Sequence, residues 1–183
     1  MKSKILFLVI IVLSVSYFAV GQTSVPETLS DVVTADSIPK SRLYENAKAW
    51  LLTKFMTADN LVEFDDKEQN SIIITGHIKM SEFKFVTGWQ GIFVHTGNNT
   101  LTFKLELGFK DDKFKYEISN MLYSYYLHGP PTVEGHKEST FDKIADMPKK
   151  KVEEVRVEAN DILNALIVEM KTKVISNKNK NDW

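Results

Sequence analysis

The stretch Thr100–Asn120, TLTFKLELGFKDDKFKYEISN, constrains this chain more than any other. Leu101, Phe103, Leu105, Leu107 and Phe109 alternate with polar neighbours, and so do Phe114, Tyr116 and Ile118. A period of two sustained this long means strand, with one dry face and one wet face. The break at Lys110-Asp111-Asp112-Lys113 folds it into an antiparallel hairpin. Both arms must bury the same sheet face, so the loop must hold an even number of residues. A turn centred on Asp111-Asp112 sets Phe109 opposite Phe114, Leu107 opposite Tyr116 and Leu105 opposite Ile118. It also sets Glu106 against Glu117, a repulsion that Lys104 and Lys115 offset from the diagonals. Beyond Ile118 the parity flips, because Met121, Tyr123, Tyr125 and Leu127 are odd-numbered. A one-residue slip of phase predicts a bulge near Ser119-Asn120.

Two helices flank the strands. Leu43, Ala47, Trp50, Leu51 and Phe55 recur at three- and four-residue steps, which predicts an amphipathic helix over Ser41–Ala58 with Ser41 as its cap. Val152, Val155, Ala159, Ile162, Leu163, Leu166 and Met170 predict a second helix over Lys149–Lys173, with Asp146 as a cap ahead of Pro148. Trp50 sits mid-stripe and reads as core. Between the first helix and the hairpin, Leu61–Phe64 reads as a short strand and Ser71–Phe85 as a longer one. Gly76 within the latter marks a bulge or a close backbone approach. One sheet face and two helical stripes are buried most economically as a two-layer α+β sandwich, an antiparallel sheet of four to five strands with both helices on one face.

The start of the chain reads as an address. Lys2 and Lys4 precede the apolar run Ile5–Leu13, and Ala19-Val20-Gly21 supplies small residues for cleavage before Gln22. The apolar core is short for a span of about 20 residues. No cysteine exists anywhere, so a lipid anchor on cysteine and all disulfides are excluded. Residues 1–21 are thus a signal peptide, 22–40 a flexible arm, 41–174 the folded domain and 175–183 a frayed tail. The expected location is periplasmic or extracellular, with no stable membrane anchor after cleavage. Losing Lys2 and Lys4 leaves 21 basic against 24 acidic side chains, near −3. That balance, with Glu106 and Glu117 on the wet sheet face, argues against nucleic-acid binding.

No catalytic residue is assigned, because no nucleophile–base pair or ligand spacing emerges. Glu63, Asp65, Asp66 and Glu68 lack the glycine and distal glutamate of a calcium loop. In the loop His128–Lys149, His128, Glu134, His136, Glu138 and Asp142 show no helical metal-ligand spacing, so neither metal nor cofactor is expected. The binding candidates are aromatic: Trp89 in the loop Gly88-Trp89-Gln90-Gly91, and Tyr123 and Tyr125 beyond the parity break. Rings on loops and strand ends offer apolar area at little entropic cost. The bland alternative packs them inward.

Four blocks in order, LYENAKAWL at Leu43–Leu51, DDKE at Asp65–Glu68, IITGHIK at Ile73–Lys79 and FKLELGFKDDKFKY at Phe103–Tyr116, resemble a bacterial family. It is a domain of unknown function with a TATA-binding-protein-like (TBP-like) fold, found in proteins secreted by Bacteroidetes. The resemblance covers about Ser41 to Leu127 and implies the TBP-like form of the sandwich. It departs at Asp112, where the family often has glycine, and in the longer Val86–Asn99 excursion. It brings no catalytic or binding residues. The expected function is an exported, non-enzymatic binding or structural module whose partner is an envelope protein, a glycan or a small ligand. The alternative is a carboxylate-dependent hydrolase acting on glycans or other envelope substrates. Mature protein recovered from the cell envelope is expected to begin at or within a few residues of Gln22 by N-terminal sequencing, and full-length chain held in the inner membrane would contradict this.

Overall fold

The computed structural model describes residues 24–55, 61–66, 68–87, 93–97, 99–127, 135–144 and 147–176, and the signal segment, Trp89, Asp146, His128, Glu134 and the tail from Asn177 lie outside them. The elements in order are β1 (Leu29–Thr34), α1 (Lys40–Phe55), β2 (Leu61–Asp66), β3 (Ser71–Lys79), β4 (Phe83–Thr87), β5 (Phe93–Gly97), β6 (Asn99–Lys110), β7 (Lys113–Leu127), β8 (Gly135–Ser139) and α2 (Lys149–Val174). The main sheet is antiparallel, ordered β1-β7-β6-β3-β2, with β8 also on β7. A separate pair, β4–β5, takes up the excursion after β3.

The central hairpin has the expected register. Phe109 faces Phe114, Leu107 faces Tyr116, Leu105 faces Ile118 and Glu106 faces Glu117. The charge relief differs in direction: Lys104 pairs with Glu106 at 2.7 Å and Lys115 with Glu117 at 3.0 Å, each along its own strand rather than diagonally. Residues two apart on a strand share a face, so each lysine reaches its own neighbour without crossing the ladder. The bulge is present too. Thr102 pairs with Leu122 but Lys104 with Ser119, so Phe103 spans two residues, and Asn120 takes φ +50°. Asparagine tolerates that conformation better than most side chains.

Gly76 marks a close approach and not a bulge, since β3 pairs with β6 without interruption. A Cβ there would lie 2.5 Å from Phe103 Cζ, so the ring covers the glycine. On the same face Phe55 packs edge-on to Phe103 and Tyr44 to Phe109. From α2, Lys171 reaches over the Tyr116 ring. Both helices therefore cover one sheet face, and their stripes join one core with β3, β6 and β7. Trp50 is buried, as its position mid-stripe requires, and its Nε1 donates to Glu169 Oε1 at 3.1 Å.

Three boundaries differ from the sequence reading. Ser71–Phe85, expected as one strand, ends as β3 at Lys79, and Phe83–Thr87 pairs in the separate β4–β5 sheet instead. The segment 22–40, read as a flexible arm, contributes β1, which runs antiparallel to β7 from Leu29–Ile118 to Thr34–Lys113. Its side chains are mostly exposed, so hydropathy could not reveal it; the backbone ladder and the clasp that follows hold it. Likewise the loop His128–Lys149 contains β8, a polar edge strand. Polar residues on an edge also discourage unwanted strand pairing.

The clasp is the hairpin turn itself. Asp112 Oδ1 accepts from Ser37 N at 2.9 Å, Asp112 O accepts from Ala35 N at 2.7 Å, and Asp112 N donates to Ile38 O at 3.0 Å. Asp111 Oδ1 accepts from Lys40 N at 2.9 Å, at the start of α1. A carboxylate from another element thus meets the helix N-terminus, where Ser41 was expected to cap. Such a contact is worth about 1 kcal/mol. Asp112 occupies φ +63°, where glycine would be unstrained, but glycine could not hold Ser37. At the far end, Asn46 Nδ2 donates to Val174 O and Ser176 O, both at 2.9 Å, tying α1 to the end of α2. At the start of α2 the capping position is Pro148, without a side-chain bond.

Leu105→Asp should abolish folding, because burying a carboxylate mid-sheet costs several kcal/mol against a total of about 5–15. Lys104→Thr, one residue along on the half-exposed face, should shift stability by less than about 1 kcal/mol. Equal losses in chemical denaturation would contradict the face assignment.

Candidate functional site

Tyr123 and Tyr125, two of the sequence's aromatic candidates, do not form a platform. Tyr123 is 0% exposed and Tyr125 3%. Their rings stack at 5.1 Å, Tyr123 packs on Phe141 at 5.7 Å, and Phe83 meets Tyr125 edge-on. Tyr123 Oη donates to Asn99 Oδ1 at 2.7 Å, while Asn99 Nδ2 donates to Ser81 O, also at 2.7 Å. Burial, then the neighbouring Tyr125 and Glu158, push the Tyr123 phenol far above its ordinary value. The bulge turns these odd-numbered rings into the core, which is the physical reason the alternation changes phase. Neither ring can therefore stack on a ligand, and Trp89 lies outside the described residues.

The acidic clusters serve the fold. Asp65 accepts from the Tyr44 hydroxyl and the Lys48 ammonium, joining β2 to α1. Lys48 and then Tyr44 hold its carboxyl below the ordinary range, while burial and Asp65 push the Tyr44 phenol up to about 12. Asp66 Oδ1 accepts from the amides of Glu68 and Gln69 and so closes the turn before β3. On β8, Glu138 accepts from Ser124 Oγ at 3.0 Å. Among the described residues no three His, Asp or Glu side chains gather to hold a metal.

A different place stands out, and it starts from the same bulge. β1 pairs with β7 at residues 113–118 and β8 pairs with it at residues 123–127. Both lie on the edge of β7 away from β6. Neither pairs with Ser119–Leu122, where Asn120 has its positive φ. A cavity of about 750 Å³ opens over this gap. Its floor is Ser119, Asn120, Met121 and Leu122. One wall is Val25–Thr28, leading into β1, and the other is Thr140–Lys143, leaving β8.

One face of α2 meets one wall and the chain leading into the other. Arg156 Nε and Nη2 donate to Phe141 O at 3.1 and 2.9 Å, and Asn160 Nδ2 donates to Ser24 O at 3.3 Å. Arg156 and Asn160 are four residues apart, one helical turn, so they project side by side. The Phe141 ring anchors its wall in the core, and Lys143 N donates to Thr140 O at 3.0 Å to close the turn. Glu27, Asp142 and Lys143 are exposed around the cavity. The Thr140 hydroxyl is the largest influence holding the Asp142 carboxyl below its ordinary range. The lining thus brings carboxylates, an ammonium, an amide and hydroxyls to one cavity. The sequence signal for it was the parity break, whereas Glu27 and Asn120 carried no motif.

Helices on one face of an antiparallel sheet define the class: an α+β sandwich of TBP-like fold. The chain belongs to the DUF4468 family, a domain of unknown function with TBP-like fold, whose model matches residues 30–124. That match begins within β1, which makes the strand part of the family's unit. A TBP-like protein from Parabacteroides distasonis ATCC 8503 is similar in structure, with TM-score 0.60, 13% identity, and 83% of this chain and 94% of that one covered. A DUF4468 family protein from Bacteroides ovatus ATCC 8483 is similar with TM-score 0.57 and 10% identity, over 91% and 97% of the two chains. At such identities the likeness concerns fold alone. No curated protein matches.

Tyr123→Phe should destabilise the domain by about 1–3 kcal/mol, since it leaves buried Asn99 Oδ1 without its donor. An unchanged melting temperature would show that this bond contributes little.

Proposed function

We propose that this chain is an exported, non-enzymatic module and that it binds its partner in the cavity over the β7 gap. The observation that carries this reading is a cavity over the β7 gap with one wall held by Arg156 and the chain entering the other met by Asn160 of the same helix. A preformed, mixed polar and apolar cleft at an irregularity of a sheet is a common kind of ligand site. Export is supported by the charged, apolar and small-residue order of Met1–Gly21, which suits a periplasmic or extracellular destination. None of the described helices is long and apolar enough to cross a membrane. Alternation of Lys104, Glu106, Lys115 and Glu117 on the open sheet face supports a partner other than nucleic acid.

The hydrolase reading keeps one favourable observation: Glu27 and Asp142 stand on opposite walls of the same cavity. General acid catalysis on a glycoside requires a carboxyl with a raised pKa. Every displaced carboxyl among the described residues moves down instead: Asp31, Asp65, Asp142, Glu154 and Glu169. Binding without turnover is therefore the better-supported reading.

The test follows amide resonances of the isotope-labelled mature chain while envelope protein, polysaccharide and small-molecule fractions are added. Reversible shifts at residues 119–122 and 140–143, with the added material recovered intact, are expected from at least one fraction. Cleaved product that disappears in a Glu27→Gln, Asp142→Asn double variant would establish the hydrolase. Silence at those residues in all fractions would remove the cavity as the binding site.

A further inference from the structure

We infer that the cavity over Ser119–Leu122 is a subsite for a neutral, hydroxyl-rich ligand, one or two units of a carbohydrate chain. This rests on the binding reading above and names its ligand class. Three candidates compete for an irregular sheet edge: an added peptide strand, an anion, and a sugar.

A peptide strand needs a run of free edge along which to pair. Among the described residues β1 reaches Ile118 and β8 reaches Tyr123, so only Ser119–Leu122 are uncovered between them. The bulge at Asn120 breaks the regular spacing of donors and acceptors even there. Val25–Thr28 and Thr140–Lys143 also leave the edge at either end of the gap, so a strand continuing past it would meet them.

An anion needs an excess of positive charge or several converging N–H groups. The lining carries one cation, Lys143, against the carboxylates of Glu27 and Asp142. With Arg156 also acting on Asp142, the charges balance, so a phosphate or acidic polymer meets no excess of positive charge.

A sugar matches what remains. Its hydroxyls both donate and accept, so they suit a mixed set: carboxylates that accept, an ammonium that donates, the Asn120 amide that does both, and hydroxyls on Thr28, Ser119 and Thr140. The C–H faces of a sugar ring need apolar contact, and the chain supplies it without an exposed aromatic ring: Val25 and Pro26 on one wall, Met121 and Leu122 on the floor. The backbone at the gap adds polar groups that neither flanking strand uses. Arg156 holds the Phe141 wall and Asn160 meets Ser24 at the entry to the other, which limits the ordering a ligand must induce.

The probes are short neutral cello-, malto-, xylo- and chito-oligosaccharides, titrated into the labelled mature chain to about 10 mM, where even a Kd of about 1 mM gives near-saturation. At least one series should shift amides at 119–122 and 140–143, leaving the open sheet face unmoved. Asn120→Gly keeps the positive φ while deleting the amide, and should weaken that binding by about 3- to 10-fold with the fold intact by circular dichroism. Asp142→Asn, at an exposed position, should weaken it comparably. If no oligosaccharide shifts these residues, the sugar inference is overturned. If peptides shift them instead, with cross-strand contacts to Ser119–Leu122, strand addition replaces it and the binding reading survives. Anionic probes binding more tightly than neutral ones would overturn it as well.

Discussion

The β6–β7 ladder is the interaction on which every other element depends. Its buried row, Leu101 to Phe109 against Phe114 to Tyr125, supplies the surface onto which both helices pack. β3 adds to its one side and β1 and β8 to the other, so no strand of the main sheet except β2 is more than one step from it. The turn that joins the two strands also reaches out to Ala35–Lys40, so the hairpin sets where β1 ends and where α1 begins. A single two-residue turn thereby couples local register to tertiary arrangement. Each of its hydrogen bonds is modest alone, about 1 kcal/mol, but they converge on one short segment.

Much of this was legible in the sequence because it rests on periodicity. Alternation in Thr100–Asn120 determined the cross-strand partners residue by residue, and the parity flip located the bulge that puts Asn120 at φ +50°. The helical stripes named most buried residues of α1 and α2, missing Tyr44, Ile167 and Val174 and including Ile162, which is only partly buried. β1 and β8 were not legible. Their side chains are largely exposed, and they are strands only because β7 offers them backbone partners. Long-range caps were hidden for a similar reason: Asp111 meets Lys40 from a distant part of the chain, which no local pattern records.

The candidate site shows the same division. The sequence pointed to the region after the parity break through Tyr123 and Tyr125, which the structure buries. Aromatic rings there answered to the core, with Tyr123 bonded to Asn99 and stacked among Tyr125 and Phe141. What the bulge leaves for solvent is a gap in edge pairing, and its walls come from segments that hydropathy reads as unstructured. Glu27, Asn120 and Asp142 lie far apart in the chain and meet only because β1 and β8 share one strand as neighbour.

Native-state hydrogen exchange measures the central claim most directly, because it ranks elements by the free energy needed to open them. If the hairpin carries the fold, ladder amides between Leu101 and Leu107 and their β7 partners will exchange only through global unfolding. The β1 amides will then exchange through smaller openings, since few of its side chains are buried. Hairpin amides that exchange through an opening cheaper than those of α1 or α2 would contradict the account.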